Sequence, residues 1–313
     1  MGVFDDIQAG LGKGFDAAMD AAGKGFDAAA SATNKALVTR APFIQAFIHL
    51  CDDGWLQGWH ERNGGNLTYR MTEEDIAKVR GGFDSEPREW VDLGFSEPTL
   101  ANASFLITGS GAYMHNVSAS PIENIGIVEM NEAGSAYRVV WGLVNRKPTS
   151  ELPTHIMNHA IRMKATDGAC RVIYHAHPNN IIAMTFVEPL DARTFSRALW
   201  KAMTECVVVF PEGVGVVPWM VPGGNEIAKA TSEQMKSYPA VIWAQHGLFV
   251  SGADFDETFG LMHCIEKAAD IYFRARTMNG GSNEFLNTIT DEGLAQIGVE
   301  FNVEINKEFL DVQ

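Results

Sequence analysis

Basic residues are scarce in this chain of 313: 24 Lys+Arg stand against 39 Asp+Glu, a formal net charge of −15. With no basic run to concentrate positive potential, the balance argues against nucleic acid or an anionic membrane as main partner. Any phosphate the protein handles must be held by a local site built against the overall field. Cysteine is sparse too. Cys51, Cys170, Cys206 and Cys264 lie far apart, without C-x-x-C spacing and each in an apolar stretch, so they read as buried free thiols in a reducing compartment. No apolar run approaches the ~18 residues of a membrane span. The first residues carry acids where a signal peptide needs Lys or Arg, and Asp6 stands where the myristoylation pattern needs Ser or Thr. The expectation is a cytoplasmic protein. What is present is 46% hydrophobic and 20% charged residues, the balance of a folded chain long enough for one large domain or two modest ones.

Residues 1–40 read as a unit apart. Phe4-Asp5, Phe15-Asp16 and Phe26-Asp27 recur every eleven residues, and the last two copies share Gly-Lys-Gly-Phe-Asp-Ala-Ala. Eleven residues make three helical turns, so Phe4, Ile7, Leu11, Phe15, Ala22 and Phe26 fall on one slowly drifting apolar stripe. The glycines between Gly10 and Gly25 oppose the helix at ~1 kcal/mol each, so the segment orders only when its Phe stripe finds a surface. Three readings stay open: a flexible arm, a targeting or assembly helix with a docking partner, and a lipid-surface helix, the last disfavoured by a polar face that is not basic. The segment resembles the short amphipathic tails that carry enzymes into bacterial microcompartments. Ser31 to Arg40 reads as a tether, and Ala41-Pro42 opens a second domain, 41–313.

That domain alternates helical and extended patterns, which predicts a mixed α/β fold. Phe43 to Trp59 has a 3.6-residue apolar period and ends in the turn Asn63-Gly64-Gly65-Asn66. Strands are predicted at Phe105–Ile107, Ile125–Met130, Tyr137–Val144, Arg171–His177, Cys206–Phe210 and Ala240–Gln245. Helices are predicted from Ser150, over Arg193–Ala202 and over Asp256–Met278.

The chemistry concentrates in His175-Ala176-His177-Pro178. On a strand, alternate residues share a face, so both imidazoles point the same way, and Pro178 ends the ladder. Ala240-Val-Ile-Trp-Ala-Gln-His246-Gly247 is a second apolar strand ending in histidine, with a glycine that permits close approach. Three neutral imidazoles with an open position suit a catalytic zinc rather than a structural one. Alone, a histidine at a strand end is more often a hydrogen-bonded core residue; the His-X-His pair balances the two readings, and the third histidine tips them to metal. His155 and His159, at i and i+4, are a rival metal pair. The metalloprotease motif needs Glu after the first of them, however, and Ile156 stands there, so they read as packing or supporting residues. In Pro148-Thr149-Ser150-Glu151-Leu152-Pro153, Ser150 is the predicted N-cap. Free amides and the Thr149 and Ser150 hydroxyls then offer a phosphate site. Glu151 is either a surface acid complementing the helix dipole or, if the helix start faces the metal, a proton shuttle. The turns at Asn63–Asn66 and Thr108-Gly109-Ser110-Gly111 are candidates to complete the anion site.

These motifs, with Gly58-Trp59-His60-Glu61-Arg62 before the first turn, Thr204-Glu205-Cys206 and Gln245-His246-Gly247, resemble the class II aldolase/adducin family from about Phe43 to near the C-terminus. The resemblance implies an α/β (α+β) fold, three-layer α/β/α with a mainly antiparallel central sheet, assembled as a cyclic homotetramer with sites near subunit interfaces. It implies one Zn2+ per subunit on His175, His177 and His246, with Glu151 as acid/base. Asn63, Ser110, Gly111, Thr149 and Ser150 would grip the phosphate of dihydroxyacetone phosphate. Glu205 would assist proton transfer from a neighbouring subunit. The implied activity is retro-aldol cleavage of a ketose 1-phosphate. No motif places a lysine for a Schiff base, so a Lewis acid must accept the charge. Trp59–Thr68 and Thr204–Pro222 favour one aldolase branch. Another ketose-phosphate aldolase, a pentulose-phosphate 4-epimerase and a non-catalytic adducin-type protein are the alternatives.

Overall fold

A computed structural model describes residues 37–311; the eleven-residue repeat lies outside the described residues. Val38, placed by the sequence in the tether, is 2% exposed and belongs to the main core. The folded body therefore begins a little before Ala41.

Helix α1 is Pro42–Leu56, followed by β1 Asn66–Arg70, α2 Glu73–Val79, β2 Val91–Asp92, β3 Ser104–Thr108 and α3 Pro121–Asn124. Then come β4 Ile125–Met130, β5 Ala136–Gly142, α4 Leu152–Ala165, β6 Val172–Ala176, α5 Asn179–Met184 and α6 Ala192–Ala202. The chain continues through α7 Glu205–Val209, β7 Gly215–Val217, α8 Asn225–Met235, β8 Ala240–Trp243, β9 Gly247–Gly252, α9 Phe255–Met278 and α10 Asp291–Glu300. The predicted elements reappear within a few residues, with one exception. Cys206–Phe210 is not a strand. Phe210 N–H bonds back to the Cys206 carbonyl at 2.9 Å, and the helix buries Cys206 and Val207. A five-residue apolar run is too short for its period to declare itself, and the packing decides. Helix α1 stops short of Trp59 because Gly58 takes a left-handed φ of 76°.

The nine strands form one sheet in the order β2-β5-β4-β3-β1-β6-β9-β8-β7, antiparallel except for β7 beside β8. Alternation along β6 sends Val172, Tyr174 and Ala176 into a core shared with α1 and α9. Ile173 faces the other way, with Val241, Trp243 and Phe249, against α8. On β3, Phe105 and Ile107 meet Leu152, Ile156 and Ala160 of α4 on that second side. Helices thus cover both faces of a mainly antiparallel sheet, the three-layer arrangement expected. Among the described residues no helix is long and apolar enough to cross a membrane. All four cysteines are free; Cys51, Cys170 and Cys206 are buried, while Cys264 is half-buried with its sulfur 3.8 Å from that of Cys206.

Candidate active site

His175 is the penultimate residue of β6 and His177 follows the strand directly, with Pro178 at the N-cap of α5. His246 arrives on the turn between β8 and β9. Gln245 adopts a left-handed φ of 54°, a conformation that costs a non-glycine residue roughly 1–2 kcal/mol. The turn is held by Thr185, whose hydroxyl accepts Gln245 N–H at 3.0 Å and whose carbonyl accepts the side-chain amide at 2.9 Å. Gly247 has to be glycine: a Cβ there would sit 2.5 Å from the Ala176 carbonyl and 2.9 Å from the His175 ring.

The ligating atoms of His175, His177 and His246 lie within 4.8 Å of one another. Their tautomers follow from their partners. His175 Nδ1 faces the Leu248 carbonyl at 3.1 Å, and His177 Nδ1 faces the Glu61 carboxylate at 2.8 Å, so both Nδ1 atoms donate. Each Nε2 is then a lone pair, and these two lone pairs stand 3.2 Å apart. Two bare lone pairs at that distance repel. A tetrahedral ion bonded at ~2.0–2.1 Å would set its ligands ~3.3 Å apart, so the donor set fits one metal ion. Burial and the neighbouring rings hold His175 well below the usual histidine range, and burial with His177 lowers His246 to about 4. Such imidazoles are neutral near pH 7 and ready to ligate.

Glu151 is 7% exposed, with Oε2 3.6 Å from His175 Nε2. It accepts Asn66 Nδ2–H at 2.8 Å. Burial raises its pKa, and the Asn66 hydrogen bond draws it partly back. The predicted N-cap at Ser150 is corrected: Glu151 occupies the N-cap position of α4, with no side-chain cap. Thr149 Oγ1 accepts Glu151 N–H instead, at 3.3 Å. Ser150, one residue earlier, is exposed.

Asn63, Ser110, Gly111, Thr149 and Ser150 all line one polar pocket of about 180 Å³ with Glu151, His177 and His246. Two unrelated turns and a helix start, far apart in sequence, therefore meet beside the triad. Glu205 does not line it; exposed on α7, it lies near Cys264. A larger groove, of about 600 Å³, is lined by residues of none of these motifs, and its Arg193, Arg197 and Lys201 are paired with Asp291 and Asp311. His155 and His159 are fully buried away from the triad, both bonded to Thr68. Burial pushes His155 down to about 3. Two residues of the Gly58–Asn66 segment take individual roles that no motif assigns. Glu61 orients His177, and Asn66, opposite His175 in the β1–β6 register, holds Glu151. Their polarity beside a glycine turn was the only signal.

Residues 45–273 match the Class II Aldolase and Adducin N-terminal domain. The chain is 45% identical over 267 residues to a rhamnulose-1-phosphate aldolase of Shigella sonnei (strain Ss046), covering 85% of this chain and 96% of that protein. It is 45% identical over 276 residues to the same-named protein of Enterobacter sp. (strain 638), covering 88% and 98%. Among solved structures, a sugar-phosphate aldolase from Thermotoga maritima superposes with a TM-score of 0.64 at 28% identity, over 76% of this chain and 95% of that one. An L-fuculose 1-phosphate aldolase superposes at 0.54 with 21% identity, over 84% and 97%, a likeness of fold alone. A His-X-His strand end met by a third histidine, a buried glutamate beside it and a match across most of the folded body agree: this chain belongs to the class II aldolase and adducin family.

Proposed function

We propose that the chain is a zinc-dependent lyase that cleaves L-rhamnulose 1-phosphate to dihydroxyacetone phosphate and L-lactaldehyde. The carrying observation is the convergence of His175, His177 and His246 on one point with Glu151 Oε2 3.6 Å from the nearest ring. The substrate follows from the 45% identity to curated rhamnulose-1-phosphate aldolases. A divalent cation held by the three neutral imidazoles supplies Lewis-acid stabilisation of the negative charge that grows on C3 as the C3–C4 bond parts. Asn63, Ser110, Gly111, Thr149 and Ser150 hold the phosphate and set the register of the carbon chain. Glu151, in a buried niche, carries the proton delivered to C3 after the aldehyde leaves.

The base for the C4 hydroxyl is assigned to Glu205 of a neighbouring copy in a cyclic homotetramer. Two observations support this: Glu205 is exposed and away from its own pocket, and that pocket is small beside the ~300–1,000 Å³ of ordinary ligand clefts. The repeat-bearing residues 1–36 form a separate docking unit, for which enclosure in a bacterial microcompartment is one destination and the open cytoplasm the other.

The purified chain, assayed with both L-rhamnulose 1-phosphate and L-fuculose 1-phosphate, should release dihydroxyacetone phosphate faster from the first. It should carry about one zinc per chain and lose turnover to a chelator, regaining it with Zn2+. Preference for the fucose-derived substrate, or epimerisation without release, would redirect the assignment within the family. Turnover indifferent to chelation would end it.

A further inference from the structure

A chain of buried polar side chains runs from the middle of α4, through β1, to Glu151. Asn66 Nδ2 lies 2.8 Å from Glu151 Oε2, and Asn66 Oδ1 bonds His155 Nε2. Thr68 Oγ1 stands 2.7 Å from His155 Nδ1 and 2.8 Å from His159 Nε2. Thr68, His155 and His159 are completely buried, and Asn66 is 6% exposed.

The polarity of this chain closes in one direction. A carboxylate only accepts, so Asn66 must turn its NH2 to Glu151 and its carbonyl to His155. His155 then donates from Nε2, and Nδ1 of the neutral ring must accept, from the Thr68 hydroxyl. The Thr68 oxygen in turn accepts His159 Nε2–H, which leaves His159 Nδ1 as a lone pair. His159 Nδ1 is the one histidine nitrogen among the buried side-chain atoms of the described residues that finds no partner. An empty acceptor is tolerated more readily than an orphaned donor. Every donor in the series therefore points toward Glu151.

We infer that His155 and Thr68, backed by His159, are positioning residues that lock the Asn66 amide with its N–H toward Glu151. The inference rests on the role given to Glu151 above. An unlocked amide can flip, presenting its carbonyl to the carboxylate; the two oxygens would then repel, and Glu151 would swing from its place beside His175. For stability alone, apolar side chains of similar shape would serve these buried positions as well. His155 also packs edge-on against Phe249, which stacks on His175 with ring centroids 4.1 Å apart. An aromatic replacement keeps that packing while removing the donor.

The test is a set of variants of the full chain, each loaded with zinc. His155→Phe should lower kcat about 10-fold or more while KM and metal content stay within about twofold. His155→Gln, whose amide N–H reaches the place of Nε2, should restore most of the loss. Thr68→Val, isosteric without the hydroxyl, should fall between, and carries the test if His155→Phe does not fold. Imidazole ¹⁵N spectra of the unvaried protein should show His155 protonated at Nε2, with mixed tautomers in Thr68→Val. A kcat for both His155→Phe and Thr68→Val within about twofold of the parent, no rescue by Gln, or loss of metal in step with activity would overturn the inference. Glu151→Gln separates the two claims. If it retains turnover, the role of Glu151 itself falls; if it is inactive while His155→Phe is active, only the positioning chain falls.

Discussion

Each candidate ligand is a histidine whose other ring nitrogen, where a partner is seen, is already spoken for. The Leu248 carbonyl and the Glu61 carboxylate fix the tautomers of His175 and His177, so the site meets a metal with lone pairs already converged. His246 stands on a strained turn and completes the triad. Replacing it with alanine should abolish stoichiometric zinc binding and turnover while leaving the fold intact, as read by metal analysis, activity and circular dichroism. Truncating Glu61 is milder: Glu61→Ala should weaken zinc affinity about 10–100-fold in a competition titration, because the His177 ring loses its orienting acceptor. Glu61 and His177 are 116 residues apart, as are Thr68 and His159 by 91, so neither pairing could be read along the chain.

Elements bring these residues together through close backbone approach. Strand β9 lies against β6 with His175 opposite Phe249, and the absence of a side chain at residue 247 lets the strand ends meet. Gly247→Ala should therefore push the β9 start away from β6 and cut metal affinity more than 10-fold while costing roughly 1–3 kcal/mol of stability, read by zinc titration and urea melts. Outside the site, Asp291 at the start of α10 takes Arg197 Nη1 and Lys201 Nζ, each at 2.6 Å. Burial works against its charge, yet the Arg197 and Lys201 bonds and the Asp311 N–H win, and its pKa falls below the usual carboxylate range. A depressed folded pKa contributes stability above the unfolded value near ~4 and loses it as pH falls through the folded value. Asp291→Asn should thus cost on the order of 2 kcal/mol in urea melts at neutral pH, with the gap to the parent narrowing in strong acid.

For the whole molecule, the proposed separation of residues 1–36 from the folded body has a functional consequence. Among the described residues, the pocket lining begins at Asn63. Removing residues 1–36, which spares the buried Val38, should leave kcat and KM within about twofold and change assembly or location instead. Gel filtration with light scattering, beside the turnover assay, checks both halves; a large loss of turnover in a folded, truncated chain would tie the segment to the site. Residue pattern alone determined the alternating element plan, the His-X-His strand end, the third histidine before a glycine and the burial of three of the four thiols, Cys264 being half-buried, because periodicity and turn chemistry are local. It differs from the fold at Cys206–Phe210, where a short apolar run carries no period, and at Ser150, because the helix starts one residue later with Glu151 at the capping position. Only the packed sheet decided which histidines converge, that the glycine turns and the helix start share one pocket, and that His155 and His159 both bond Thr68. Those outcomes depend on strand order, and strand order is set by the burial of both sheet faces at once rather than by any single stretch of chain.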